Sequence, residues 1–228
     1  LVVAEPDDEK KAVRALDLGA SDIVIKPIDS EELLARVKTQ VRKKRYLDAL
    51  RARLDQSMEL AVTDQLTGLH NRRYMRVQLE SFVKRANMGG QPVSILLCDI
   101  DHFKKVNDIH GHSAGDDVLR EFGRRLRENI RPMDLACRYG GEEFVVIMPE
   151  TSQALAQAAG ERLRQIVAET PFGIGRGDEL KVTMSGGVST IIPPDDSIEA
   201  LLKRADDALY RAKSAGRNLI EVEIPGFA

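Results

Sequence analysis

Four carboxylates stand where they could carry out phosphoryl chemistry. Asp99 lies near the end of an apolar run, VSILLCDI, with Asp101 just after it. Gly140-Gly141-Glu142-Glu143 sets two further acids on a glycine turn between the apolar runs LACRY and EFVVIMP. Glycines let a backbone turn sharply and let a bulky ligand come close. Side chains alternate along a strand, so Glu142 and Glu143 are expected on opposite faces. One of them would join Asp99 across the sheet as a metal ligand, leaving its neighbour for another task. Carboxylates from adjacent strands suit Mg²⁺, which takes a few hard oxygens, keeps waters and meets substrate phosphates. A pair of such ions suits phosphoryl transfer from a nucleotide.

The run DHFKKVNDIHGHSAGD follows directly. It offers a helix N-terminus beside the acids, where free backbone N–H groups can hold phosphate, and Lys104 and Lys105 add positive charge. Asn107 and Asp116 can read a purine edge, since a carboxylate accepts from both guanine N1–H and N2–H₂, which adenine lacks. Lys213 and Arg217, near the end of the last helix, could grip a triphosphate tail. Singly, each feature reads equally well as a solvated lysine, an ordinary turn or a plain hairpin. Their order and spacing together point to one site.

The elements that must position these groups follow from periodicity and punctuation. Helices are expected from Arg72 to Met88, Phe103 to Ile109, Asp117 to Asn129, Gln153 to Glu169 and Ile198 to Ala215, with GHSAGD as a turn. Strands are expected at VSILLCDI, LACRY, EFVVIMP, Leu180 to Thr190 and Leu219 to Glu223. That order indicates an α+β fold, a sheet with antiparallel pairing flanked by helices. Before it, a strand at Leu1, a helix over Lys10–Leu18 and the strand SDIVIKP look like part of an α/β unit entered in mid-strand. Asp29-Ser30 can cap a further helix, with Glu31 and Glu32 in its positive first turn. No Gly or Pro interrupts the chain from Ser30 to Thr67. Leu33, Val37, Val41, Leu47, Leu50, Leu54 and Met58 form a narrow apolar seam there, suited to pairing with a second copy.

Composition excludes several classes. Among 228 residues, 34 basic and 36 acidic side chains nearly cancel, so no global field draws the chain to nucleic acid or an anionic membrane. Eight basic residues between Arg36 and Arg53 face one acid, Asp48, but only Tyr46 could stack on a base, and a solvated helix face explains them better. No apolar stretch approaches the ~20 residues needed to span a bilayer. Cys98 and Cys137 fit no metal spacing and read as small core residues in a reducing, cytoplasmic compartment.

The runs RYGGEEF (138–144), DQLTGLHNRR (64–73), DIDHFKKVND (99–108), GHSAGD (111–116), SGGVS and KSAGRN (213–218) resemble, in order, the motifs of the GGDEF family of diguanylate cyclases, here in a GGEEF variant. The resemblance implies a nucleotidyl-cyclase or polymerase-palm-like domain over 60–224, a linker helix over 30–62, and the C-terminal part of a receiver over 1–45. It implies Mg²⁺ or Mn²⁺ on Asp99, Glu142 and the Ile100 carbonyl, Glu143 as the base for the GTP 3′-hydroxyl, and Lys104 stabilising the transferring phosphate. Asn107, Asp108, His112 and Asp116 would lie with the nucleotide, and Lys213 and Arg217 on its phosphates. The implied reaction joins two GTP into cyclic di-GMP and two pyrophosphates across a homodimer, one GTP per subunit. An upstream histidine kinase would act through the rest of the receiver, which would make this chain a piece of a longer response regulator.

The family also carries a product-inhibition site, an RxxD placed five residues before the glycine pair. Arg131-Pro132-Met133-Asp134 occupies that place, and Arg162 stands where a supporting arginine is expected. Arginine both stacks on guanine and grips phosphate. Three rival readings remain: an inactive cyclic di-GMP sensor, a cyclase using ATP, and a dimerising helix with a passive globular end. The intact set Asp99, Lys104, Asn107, Asp116, Glu142 and Glu143 weighs against the first and third, and Asp116 against the second.

Overall fold

The computed structural model describes residues 2–8, 14–15, 17–175 and 177–223, with backbone alone for 51–61. The chain divides into two compact units, 1–59 and 60–228. In the first, β1 (Val2–Ala4) pairs in parallel with β2 (Ile23–Ile25). Arg14, Ala15 and Asp17 are helical, while residues 10–13 and 16 of the expected helix lie outside the described residues. Helix α1 (Ser30–Val62) runs unbroken for 33 residues. The Asp29 carboxylate accepts from the Glu31 amide at 3.0 Å and caps it. Along it Val37, Val41, Leu47 and Leu50 are exposed, whereas the side chains of Leu54 and Met58 lie outside the described ones.

The second unit is built on a six-stranded sheet in the order β10-β9-β4-β6-β5-β3. These are β3 (His70–Asn71), β4 (Val93–Ile100), β5 (Leu135–Gly140), β6 (Glu143–Pro149), β9 (Met184–Thr190) and β10 (Ile220–Val222). The four central strands pair antiparallel, and β3 and β10 add parallel edges. Every residue of β4 is buried, as its continuous apolar run requires of a strand covered on both faces. On one face Leu96, Cys98, Ile100, Phe144 and Val146 pack under α3 (Phe103–His110), α4 (His112–Glu128) and α5 (Gln153–Glu169). On the other, Ile95, Leu97, Val145 and Ile147 pack under α2 (Arg72–Asn87) and α6 (Ile198–Ser214). Both cysteines are fully buried, and burial pushes the Cys137 thiol up to about 12. Among the described residues no helix is long and apolar enough to cross a membrane.

Two expectations are corrected. GHSAGD is not a turn. After Gly111, at φ +84°, the residues from His112 onward are already helix α4. Gly115 is there because a Cβ would come within 2.0 Å of Asn107 Oδ1, so it lets α3 and α4 pack closely. The expected strand over Leu180–Thr190 is split: β9 begins only at Met184, and β8 (Asp178–Leu180) pairs with a strand that sequence reading missed, β7 (Phe172–Ile174). Arg125 holds that hairpin to α5. Its guanidinium lies 3.8 Å from the Phe172 ring centroid and donates to the carbonyls of Val167, Thr170 and Pro171.

Glu121 anchors the same side of the molecule. Hydrogen bonds from Arg124, and then from Arg125, pull its carboxyl down to about 2. A depressed carboxyl stabilises the fold above its unfolded value, near 4.5, and that contribution fades as pH falls toward 2. Glu121→Gln should therefore lose about 1–2 kcal/mol at pH 7 and little at pH 2.5, read from urea midpoints at the two pH values.

Candidate active site

The acids gather where β4 and β6 end together. Asp99 is paired directly across from Glu143 in the antiparallel register, so both side chains leave the same face, that of α2 and α6. From α6, Lys213 Nζ approaches Asp99 Oδ2 at 2.9 Å. Glu142 lies in the turn ahead of β6, and its carbonyl accepts from the Ile100 amide at 3.3 Å. The two glutamates are thus a turn residue followed by the first residue of a strand.

The two glycines differ in role. Neither has positive φ, so the turn does not need their conformational freedom. A Cβ on Gly140 would stand 3.2 Å from Glu143 Oε2, whereas one on Gly141 would meet nothing within 4 Å. Gly140 makes room for the Glu143 carboxylate, and Gly141 leaves open space above the turn.

Electrostatics mark these acids as crowded. Burial raises the Asp99 carboxyl, with Asp101 adding to the rise and Lys213 and Arg217 offsetting it. Burial also raises Glu142, and the charges of Asp99 and Glu143 push the same way. A buried Asp99 that raises a half-buried Glu142 beside it makes a donor set that a divalent cation would relieve. Among the described residues no three acidic, histidine or cysteine side chains already converge as a closed metal cage.

The nucleotide-side groups sit on α3 and α4. Lys104 and Asp108 are exposed on α3, Asn107 is half-buried, His112 is exposed at the start of α4, and Asp116 is half-buried in its first turns. Arg217 is exposed beyond α6 at φ +67°. The inhibitory candidates lie at the far end of the β5–β6 ladder, where Leu135 pairs with Ile147, roughly 16 Å along the strand from the acidic turn. There Arg131 donates to Asp134 Oδ1 at 3.0 Å and to Thr151 Oγ1 at 2.5 Å, and Asp134 is buried. Arg162 of α5 reaches the Asn129 carbonyl, two residues before Arg131.

Sequence reading missed the clamp on the acidic turn. Arg138 donates to the Gly141 carbonyl at 2.8 Å and to Asp64 Oδ1 at 3.2 Å. Asp64 also accepts from the amide and hydroxyl of Thr67. Burial pushes the Asp64 carboxyl up, but Thr67 and Arg138 outweigh it and hold it below its ordinary value. The available signal was an arginine three residues before Gly141 and an aspartate in a turn-forming DxxT, 74 positions apart.

The family description "Diguanylate cyclase, GGDEF domain" matches residues 61–219. The chain belongs to that family. It is 59% identical over 221 residues to the response regulator PleD of Caulobacter vibrioides, an alignment covering 96% of this chain and 49% of PleD. To the diguanylate cyclase DgcP of Pseudomonas aeruginosa it is 43% identical, covering 76% of this chain and 26% of DgcP. The chain thus spans about half the length of the PleD sequences and less of DgcP. Among solved structures it resembles the coiled coil and GGDEF domain of DgcB from Caulobacter crescentus in complex with c-di-GMP. That match has a TM-score of 0.74 and 32% identity, covering 83% of this chain and 98% of DgcB's. The diguanylate cyclase SiaD of Pseudomonas aeruginosa, solved with its activator SiaC, matches at a TM-score of 0.69 and 32% identity, covering 95% of this chain and 80% of SiaD's.

Proposed function

We propose that this chain is the output part of a response regulator and condenses two GTP into cyclic di-GMP and two pyrophosphates. The observation that carries the reading is the meeting of Asp99, Glu142 and Glu143 with Lys213 at one end of the sheet, in a chain of this family. Residues 60–224 are the cyclase, 30–62 the linker helix and 1–45 the tail of a receiver through which a histidine kinase would signal. Asp99, Glu142 and the Ile100 carbonyl would hold Mg²⁺ or Mn²⁺, which when bound neutralises charge on the transferring phosphate. Glu143 takes the proton of the attacking 3′-hydroxyl. Lys104, Lys213 and Arg217 hold the phosphates, and Asn107, Asp108, His112 and Asp116 face the nucleoside.

Each subunit presents one set of acids, so ring closure needs two subunits facing each other with one GTP apiece. The exposed seam of Val37, Val41, Leu47 and Leu50 on α1 supports pairing. The specific rate should therefore climb with chain concentration when cyclic di-GMP is followed by chromatography. A specific rate independent of concentration, down to levels where ultracentrifugation finds only monomer, would contradict the dimer mechanism.

Arg131, Asp134 and Arg162 form the product-binding site that slows the enzyme. Arg131 is half-exposed beside buried Asp134, which leaves one guanidinium face for a guanine. Arg131→Ala should raise the cyclic di-GMP concentration for half-inhibition at least ~30-fold, the loss of about 2 kcal/mol of charge-assisted contact. An unchanged inhibition curve would remove this site from the scheme.

A further inference from the structure

Asp101 is the acid that the proposed chemistry leaves unused. Instead of entering the cleft it is buried, with 5% of its surface exposed. Its Oδ1 accepts from Ser185 Oγ at 2.7 Å, and its Oδ2 accepts from Thr183 Oγ1 at 2.7 Å and from the Asn218 amide at 3.0 Å. All three donors are uncharged. Two belong to the approach and start of β9, and the third to the loop that carries Arg217.

That loop is strained. Gly216, Arg217 and Asn218 have φ of +119°, +67° and +47° in succession. Left-handed backbone is unfavourable for a non-glycine residue and persists only where its surroundings over-determine it. Two contacts do so at Asn218: its amide on Asp101, and its side-chain oxygen accepting from Arg164 Nη1 at 2.7 Å. The Arg217 amide in turn closes onto the Ala212 carbonyl at 3.1 Å, one residue before Lys213.

We propose that Asp101 is a positioning residue: its carboxylate holds the 216–218 loop in its left-handed course and so aims Arg217 at the substrate's phosphates. The inference rests on the reading of Arg217 as a phosphate contact. It predicts an effect on substrate grip, not on the chemical step.

The test uses the whole chain with four variants: Asp101→Ala, Asp101→Asn, Arg217→Ala and the double Asp101→Ala/Arg217→Ala. Rates against GTP concentration are combined with hydrogen exchange at the Asn218 amide. Asp101→Ala should raise KM about 10-fold, the scale of one phosphate contact, with kcat changed less than ~3-fold. The double variant should be no worse than Arg217→Ala, and the Asn218 amide should lose protection in Asp101→Ala. Asp101→Asn should stay near wild type, because its amide oxygen can still accept from Thr183 and Asn218 while Ser185 Oγ turns to accept. A collapse of kcat in folded Asp101→Asn, additive losses in the double variant, or an Asn218 amide still protected in Asp101→Ala would each overturn the proposal. If the wild type turns over no GTP even when fused to a dimerising zipper, the reading as a cyclase fails by itself. Asn218 exchange then still decides whether Asp101 holds the loop.

Discussion

Glu143→Gln should cut cyclic di-GMP synthesis by about 10²–10⁴-fold, the range a positioned general base contributes. The change keeps the volume and one acceptor oxygen, so the pairing with Asp99 and the packing over Gly140 survive. GTP affinity, measured by calorimetry, should stay within ~3-fold of wild type, because this glutamate is assigned to the proton and not to the phosphates. Initial rates by chromatography give the first number. A variant that keeps rates within ~10-fold would take the base role from Glu143. A variant that loses GTP affinity in step with rate would make it a binding residue.

The largest stability effect is expected on β9, the strand on the other side of β4. A Cβ on Gly187 would lie 2.0 Å from the Ala205 carbonyl oxygen and 2.4 Å from the Leu209 nitrogen, both backbone of α6. Main chain cannot rotate aside, so Gly187→Ala must push α6 off the sheet, costing at least ~3 kcal/mol. For a unit of this size that lowers Tm by roughly 6–12 °C. Lys213 rides on α6 and contacts Asp99, so activity should fall even where the variant folds. Gly186→Ala is the control. Its Cβ would meet Ile220 Cδ1 and Leu96 Cδ1 at 2.7 Å, which are ends of side chains that can give way, so a loss nearer 1 kcal/mol is expected. Equal melting temperatures for the two variants would contradict the close-approach argument.

Much of this architecture was legible in the sequence because its signals are local. β4 and β6 are near-continuous apolar runs, α1 lacks any breaker over 33 residues, and Asp29 caps its start as its place before Ser30 indicates. The glycines misled where their purpose was tertiary. Gly115 reads as a turn residue but serves the contact with Asn107, and Gly140 reads as a hairpin glycine but clears space for Glu143. β7 is three residues long, too short for a period, and it depends on Arg125 from a distant helix. Asp101 and Arg138 were unreadable as braces for the same reason. Their partners, Asn218 and Asp64, lie 117 and 74 positions away.

The central claim is most directly tested by incubating the chain with Mg²⁺ and GTP and identifying every product by mass. Chains fused to a dimerising zipper should be run beside it. Cyclic di-GMP with two pyrophosphates per molecule formed, from the chain alone or from the zipper fusion, is the predicted result. Intact GTP in both samples, or a linear dinucleotide that never closes, would contradict the assignment of Asp99, Glu142 and Glu143 to a diguanylate cyclase centre.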